Sequence, residues 1–160
     1  VIFDLVVAIE IGMILACLLL LRRMSEESEV KSWKYIEDEN DPDSIMLRKV
    51  PKHVRVYEIS GPMFFGAADR IATISVKDFT RCLVIRMRAV NALDATAMHS
   101  LEELYDKLSK KHIAVVFSHV NEQPMHVMQK AGFVEKVGSE NFCEHIDEAL
   151  ERAAGFDSND

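Results

Sequence analysis

A short polar turn at residues 94–97 carries the residue types best suited to bind or accept a charged group. It consists of Asp94, Ala95, Thr96 and Ala97 and stands where an amphipathic helix begins. The first N–H groups of a helix are unpaired, and the helix dipole favours an anion there. We therefore predict that this turn is a regulatory or docking surface, that Asp94 caps the helix with its carboxylate, and that Thr96 faces outward.

Other residues that could support catalysis or bind a cofactor lack the necessary spacing. The 6 glycines are scattered, so the sequence contains no phosphate-binding loop. His119 and His126 are seven residues apart, and no Cys/His pair has zinc spacing. Ser118, His119 and Asp94 could meet at strand ends, yet no nucleophile elbow accompanies them. The sequence therefore predicts no enzyme activity, no metal site and no cofactor.

A buried strand and an amphipathic helix would position the turn. Residues 83–90 are mostly apolar with β-branched side chains, which is typical of a buried strand. After the turn, apolar residues recur at spacings of four, three and four, which places them on one inward face of a helix: Ala97, Leu101, Leu104 and Leu108. The turn thus follows the carboxyl end of a strand, where α/β proteins commonly bind ligands.

The rest of the domain alternates between strand and helix patterns. Strands are predicted at residues 53–59, 63–65, 81–90 and 113–120, the second as the hairpin partner of the first. Further helices are predicted at residues 67–78, 124–130 and 142–153, with Ile71, Ile74 and Phe142 among the inward residues. This alternation predicts an α/β fold in which helices pack mainly on one face of the sheet.

The N-terminal residues are predicted to form a membrane-spanning helix. Residues 5–21 are almost entirely apolar and would form a helix of roughly 26 Å, close to a hydrocarbon core of about 30 Å. Arg22 and Arg23 follow the apolar run, whereas the charges of a signal peptide precede it. A buried helix of a soluble domain is the alternative, but residues 14–21 have no polar face. The positive-inside rule then places the residues after the helix in the cytoplasm.

Glu10 is an ionisable residue within this apolar helix. A carboxylate at the centre of a bilayer costs roughly 2.5–3.5 kcal/mol on insertion scales. It is tolerated when the side chain faces other helices or a water-filled cavity, so we expect this helix to be one of several. Glu10 could then either pair with another helix or take part in transport, and the sequence leaves both roles open.

An acidic segment separates the apolar helix from the α/β domain. Residues 25–48 hold eight acidic residues against Lys31, Lys34 and Arg48, which is typical of a solvated linker. The net charge of −7 argues against nucleic acid as a partner, and the 3 cysteines, without metal or disulfide spacing, suit a reducing compartment. We divide the chain into a membrane helix at residues 1–24, an acidic linker at 25–52, an α/β domain at 53–155 and a tail at 156–160.

Several stretches of the sequence resemble a known family. Residues 84–90 (VIRMRAV) with residues 93–96 (LDAT), and residues 56–66 (VYEISGPMFFG), are similar to the C-terminal STAS domain of bacterial SulP anion permeases. Residues 5–24 resemble the last membrane helix of the same permeases. Ala97 departs from the pattern, since the family usually has glycine there. The resemblance implies a STAS-like α/β fold, a small mixed sheet of about four to five strands with helices mainly on one face, preceded by one transmembrane helix.

The resemblance also implies a function. SulP permeases are proton- or sodium-coupled carriers, or exchangers, of sulfate, bicarbonate or dicarboxylates, and the STAS domain is their regulatory and interaction domain. The sequence does not begin with Met, and we expect it to be the C-terminal part of such a transporter in the inner (plasma) membrane, with the STAS domain on the cytoplasmic side.

The partners expected from the resemblance lie mostly outside this sequence. They are the transmembrane domain of its own full-length transporter, a second copy in a homodimer formed through that carrier, and a cytoplasmic regulatory protein. The transported inorganic or organic anion would bind in membrane helices that this sequence lacks. Nucleic acid is not among the expected partners.

The alternative function is a free-standing phospho-switch of the anti-sigma factor antagonist type. In that branch a phosphorylatable serine occupies the position that matches Thr96, so Thr96 is a candidate phosphorylation site. A phosphate would add about −1.5 to −2 charges, although a hydroxyl in the first helical turn is also a common helix-start residue. The apolar residues 1–23 favour the transporter, since a soluble switch does not need a membrane span.

Overall fold

A five-stranded β-sheet forms the centre of the fold, and its strands follow one another across the sheet in sequence order. The computed structural model describes residues 2–26, 29–32, 44, 48–64, 71, 74, 76 and 79–157. The strands are β1 (Glu29–Ser32), β2 (Val54–Ser60), β3 (Cys82–Ala89), β4 (Ala114–Ser118) and β5 (Phe142–Cys143). β1 pairs antiparallel with β2, whereas β2, β3, β4 and β5 are parallel. The predicted α/β fold with a mixed sheet is thereby confirmed.

β3 is the central strand and is covered on both faces. Its first six residues are all buried, as is typical of a parallel strand between two layers. Val84 pairs laterally with Val56 of β2 and Val116 of β4, and Ile85 pairs with Phe117. Successive side chains of a strand point to opposite faces, so the valines and Ile85 belong to different apolar clusters.

Helices cover one face of the sheet more extensively than the other. The described α-helices are α1 (Ile2–Glu26), α2 (Ala95–Ser109), α3 (Glu122–Lys130), α4 (Phe133–Val137) and α5 (Ile146–Ala154). On the first face, Leu101 of α2, Met128 of α3 and Phe133 of α4 pack in one cluster with Ile85 and Phe117. The prediction that helices lie mainly on one face is confirmed.

α5 packs on the second face of the sheet. Its residues Ile146 and Leu150 join Val54, Val84 and Val116 in a separate apolar cluster. Their spacing of four places both α5 side chains on one side of the helix. A single amphipathic helix therefore buries the valines of three neighbouring strands.

The residues after β2 do not form the predicted hairpin. The antiparallel partner of β2 is β1, which lies within the acidic segment. Met63 instead forms one parallel bridge with Leu93: its N–H donates to the Ala92 carbonyl at 2.8 Å, and its carbonyl accepts from the Asp94 N–H at 3.0 Å. The backbone of Met63 is thus occupied by the loop after β3, so the hairpin prediction is wrong. Phe65 lies outside the described residues.

The last helix begins later than predicted because its expected first residues form a strand. Phe142 and Cys143 pair with Phe117 and Ser118 as β5, and α5 starts at Ile146. The rings of Phe142 and Phe117 are stacked, with centroids 5.0 Å apart and an interplanar angle of 11°. This contact favours the extended conformation at Phe142, so the predicted helix start at that residue is wrong.

The predicted helix at residues 67–78 lies mostly outside the described residues. Within it, Ile71 is helical, and both Ile71 and Ile74 are buried, as predicted. The helix predicted at residues 124–130 begins slightly earlier, at Glu122.

Candidate functional site

The turn at residues 94–97 lies at the carboxyl edge of the parallel strands, where the loop after β3 passes into the first turn of α2. Asp94 has extended backbone angles and precedes the first helical residue. Its Oδ1 accepts a hydrogen bond from the N–H of Ala97 at 2.7 Å, which confirms the predicted N-cap. A cap of this kind typically stabilises a helix by about 1 kcal/mol. The predicted inward residues of α2 are buried: Ala97, Leu101, Leu104 and Leu108.

Gln123 of α3 fixes the backbone on the N-terminal side of the turn. Its Oε1 accepts from the N–H of Leu93 at 2.9 Å, and its Nε2 lies 3.3 Å from the Leu93 carbonyl, to which it donates. The side-chain amide thus pairs with Leu93 as a neighbouring strand would. On the other side, the backbone of Met63 bridges Ala92 and Asp94. The turn is therefore held by two separate parts of the chain.

Asn121 positions the end of β3 in the same way. Its Nδ2 donates to the carbonyl of Val90 at 2.7 Å and to the carbonyl of Arg88 at 3.0 Å. Sequence reasoning did not identify Asn121 or Gln123 as residues of this site. The sequence does place these two amides just after a predicted strand. That pattern could have indicated them, because the carboxyl ends of parallel strands meet at one edge of a sheet.

Little of the turn reaches solvent. Ala95 is exposed, Asp94 and Thr96 are half-buried, and Ala97 is buried. Thr96 therefore faces outward less than predicted. One helical turn later, the Ser100 hydroxyl donates to the Thr96 carbonyl at 3.2 Å. The accessible surface of the turn consists of Ala95 and parts of Asp94 and Thr96.

Glu58, Arg86 and Arg88 form a cluster of ion pairs near the carboxyl ends of β2 and β3. Glu58 Oε2 lies 3.3 Å from Arg86 Nη1, and Glu58 Oε1 lies 2.9 Å from Arg88 Nε. Glu58 is 5% exposed and Arg86 is 0% exposed. Both alternate with the valines of the second apolar cluster, so their side chains lie on the α5 face. Sequence reasoning missed this cluster.

Arg48 binds the first turn of α5. Its Nε and Nη2 donate to the two carboxylate oxygens of Asp147, with Nη2 2.7 Å from Oδ2. The hydrogen bonds from Arg48 hold the pKa of the Asp147 carboxyl below its ordinary value, and the nearby His145 and Arg86 lower it further. Asp147 is therefore ionised at neutral pH, at a helix start where a negative charge is favourable.

The two cysteines of the sheet have protonated thiols. Burial raises the pKa of the Cys82 thiol to about 12. Burial, with the charge of Glu148, also raises the pKa of the Cys143 thiol. A thiol must lose its proton to act as a nucleophile or to bind a metal. Among the described residues, no group of three or more His, Cys, Asp or Glu side chains is placed to hold a metal ion.

α1 is long and apolar enough to cross a membrane. Its segment Asp4–Arg23 has 20 residues and a mean hydropathy of 2.5, and none of that segment is buried. Glu10 lies on this helix and is exposed. An apolar surface of this size on every side of a helix requires a covering partner or a lipid environment.

Hydrogen bonds from two separate parts of the chain hold the turn at residues 94–97 at the edge of the parallel sheet. The model of the STAS domain family matches residues 45–149, which is more than half of the chain. This chain belongs to the STAS domain family. The resemblance stated from the sequence is thereby confirmed. The matched part of the STAS domain contains β2, β3, β4, the turn at residues 94–97 and α2.

Several known proteins are similar to this STAS domain. A sulfate transporter family protein from Wolinella succinogenes, of known structure, is 35% identical, with a TM-score of 0.69, and the match covers 75% of this chain and 100% of that one. The STAS domain of a SulP transporter from Vibrio cholerae is 30% identical, with a TM-score of 0.57, over 67% of this chain and 85% of that one. YvdB of Bacillus subtilis, named as a sulfate transporter, is 26% identical over 151 residues. That match covers 92% of this chain but 27% of YvdB, so the chain spans little more than a quarter of its relative.

Proposed function

We propose that this chain is the last membrane helix and the cytoplasmic regulatory STAS domain of a SulP-type secondary anion transporter. The observation that carries the proposal is the order of elements, since an apolar helix of membrane-spanning length precedes a STAS domain in one chain. The match with YvdB supports this proposal. It covers 92% of this chain, a share too large to be reached without residues of α1. In this proposal the complete protein carries an anion of the sulfate, bicarbonate or dicarboxylate class.

We assign each of the proposed roles to one segment of the chain. Residues 1–24 span the membrane, and residues 25–52 connect and also supply β1 to the sheet. Residues 53–155 regulate transport by binding other protein surfaces without catalysis. Arg22 and Arg23 favour the cytoplasmic side for the STAS domain. Glu10 faces other membrane helices of the same carrier, where a buried carboxylate finds polar partners. The carrier's own membrane domain and a second copy of the carrier are the expected partners.

The membrane location of α1 is tested by removing it. The chain without residues 1–24 should remain in aqueous buffer after centrifugation, whereas the complete chain should require detergent or vesicles, because α1 exposes apolar side chains such as Leu15 and Leu19. The measurement is the fraction of each protein recovered in the supernatant with and without detergent. Equal recovery of both proteins without detergent would contradict the membrane location.

The turn at residues 94–97 is the docking surface in this proposal. Its support is geometric: Asp94 caps α2, and Gln123 and Met63 hold the adjoining backbone. Ala95 and parts of Asp94 and Thr96 remain accessible. A surface held in this way loses little conformational entropy when a partner binds. The turn also lies at a helix start, where a negative charge such as a phosphate on Thr96 is favourable.

Anion uptake by the complete carrier tests the regulatory role of the turn. Thr96→Glu should change uptake by about fivefold or more, because a charge at the docking surface alters its affinity for its partner. The fold should be nearly unaffected, since an acid is favourable in the first helical turn. Ser109→Glu is the matched control: it introduces the same side chain at the exposed far end of α2 and should leave uptake unchanged. Wild-type uptake by both Thr96→Glu and Thr96→Ala, at equal surface expression, would leave the turn a purely structural helix start.

A further inference from the structure

The strand register places the entry of the chain from α1 close to the turn at residues 94–97. β1 begins at Glu29, which pairs with Ser60 at the end of β2, and Ser60 pairs with Ala89 at the end of β3. These three residues form a row across the sheet, in which neighbouring strands lie about 4.8 Å apart. Because β1 is antiparallel to β2, the chain from α1 enters the sheet at the carboxyl edge, about 10 Å from the end of β3.

The connection between α1 and the sheet is short. Only residues 27 and 28 lie between Glu26, the last residue of α1, and Glu29. The chain from Glu26 to Glu29 spans at most about 11 Å when it is fully extended. The apolar segment of α1 ends at Arg23, and the helix from Arg23 to Glu26 adds about 4.5 Å. Glu29 therefore lies within about 16 Å of the end of the membrane-spanning segment.

This distance limits what can lie between the carboxyl edge and the membrane. A small folded domain is about 30 Å across, so a separate cytoplasmic protein does not fit beside Glu29. The amino edge, where the parallel strands begin, is one strand length away, roughly 26 Å for the eight residues of β3. The carboxyl edge therefore meets either the lipid surface or the cytoplasmic loops of the carrier itself.

The charges of the two edges decide between these surfaces. At the carboxyl edge, Arg48 and Arg88 are each paired with a carboxylate. Exposed acids at the starts of α3 and α5 are Glu122, Glu144 and Glu148, whereas exposed lysines at the amino edge include Lys110 and Lys111. An anionic lipid surface attracts Lys and Arg, so the carboxyl edge is poorly suited to it. Cytoplasmic loops of membrane proteins carry an excess of Lys and Arg, and these complement an acidic edge.

We propose that the carboxyl edge of the sheet is the membrane-facing side of the STAS domain and docks on Lys- and Arg-bearing cytoplasmic loops of the carrier's own membrane domain. The inference rests on the proposed function and names the partner of the turn at residues 94–97. The turn lies in the docked edge, since the backbone of Met63, three residues after Ser60, bridges Ala92 and Asp94.

Reaction of introduced cysteines with a bulky polyethylene glycol maleimide tests this orientation. Ala95→Cys reports on the carboxyl edge and Ser109→Cys on the amino edge, and both positions are exposed. In the complete carrier in lipid nanodiscs, Ala95→Cys should react about tenfold more slowly, because the undocked state is the minor one. The 160-residue chain alone has α1 without the carrier's other membrane helices, so both cysteines should react at equal rates in it. The unsubstituted proteins give the background of the native cysteines.

A charge reversal tests the chemistry of the partner. Glu122→Lys in the complete carrier should speed the reaction of Ala95→Cys by about fivefold, because like charges then face each other across the interface. Glu151→Lys is the matched control, since it makes the same change at an exposed position in the second half of α5 and should have no effect. Cys82 is 0% exposed and should stay unreactive in every variant as long as the domain is folded.

Three results would overturn the proposal. They are equal rates for Ala95→Cys and Ser109→Cys in the complete carrier, slow reaction of Ala95→Cys in the 160-residue chain as well, which would indicate lipid headgroups, and no effect of Glu122→Lys. If Ala95→Cys did not fold, Glu122→Cys would report on the same edge with the same expected rates, in the carrier without the charge reversal. The membrane location of α1 is tested separately by the centrifugation measurement, so a failure of the proposed function is distinguishable from a failure of this orientation.

Discussion

Ile85→Asp is expected to unfold the STAS domain. Ile85 is 0% exposed and lies in the middle of β3, in register with Tyr57 of β2 and Phe117 of β4. The substitution removes an apolar side chain from the first cluster and places a carboxylate there without a partner. The free energy of unfolding is expected to fall by about 4 kcal/mol or more, which approaches the total stability of a typical domain.

Protease cleavage across a temperature series measures this effect, since α1 would keep its helical spectroscopic signal after the domain unfolds. Ile85→Val is the first control and should lower the free energy of unfolding by about 1 kcal/mol. Ala95→Asp is the second, because it introduces the same carboxylate at an exposed helix start and should leave the domain intact. A protease-resistant Ile85→Asp domain at room temperature would show that Ile85 does not lie in the core.

Glu58→Leu is expected to have the second largest effect and to lower the free energy of unfolding by about 3–5 kcal/mol. Glu58 accepts hydrogen bonds from Arg86 at 3.3 Å and from Arg88 at 2.9 Å. Arg86 is 0% exposed, so it cannot turn to water when its carboxylate partner is removed. Arg88 is half-buried and can rotate outward, so most of the expected loss comes from Arg86.

A second substitution separates the charge effect from packing. The double variant Glu58→Leu with Arg86→Met should be more stable than Glu58→Leu alone, because it removes the buried charge as well as its partner. Lys136→Gln breaks an exposed ion pair and should lower the free energy of unfolding by less than about 1 kcal/mol. The measurement is the midpoint of denaturant unfolding for each variant. If Glu58→Leu unfolded at the same midpoint as Lys136→Gln, the buried cluster would not stabilise the domain.

The parts of the fold that were predicted from the sequence are each indicated by a pattern of neighbouring residues. β3 is a continuous apolar run, α2 has an apolar face at helical spacing, and Asp94 stands one residue before that helix. Each of these features depends on residues within a few positions of one another. The turn at residues 94–97 was predicted for the same reason, because a strand, a capping acid and an amphipathic helix follow one another directly along the sequence.

The parts that were missed depend on residues far apart in the sequence. Gln123 and Leu93 are 30 residues apart, and nothing near Leu93 indicates that a distant amide holds it. β1 lies in an acidic stretch with no apolar alternation, and its pairing with β2 comes from the tertiary fold. β5 is two residues long, too short for a periodic pattern, and depends on the contact of Phe142 with Phe117.

The order of β4 and α5 along the sequence has a consequence for biosynthesis. β2, β3 and β4 are complete at Ser118, but α5, which packs against the valines of the second apolar cluster, begins only at Ile146. Until it emerges from the ribosome, Val84 and Val116 stay uncovered on the nascent chain, and exposed apolar surface of this kind promotes aggregation. A premature stop after Glu144 would leave one of the two apolar clusters open. Such a product should be recognised by chaperones and proteases as a misfolded protein.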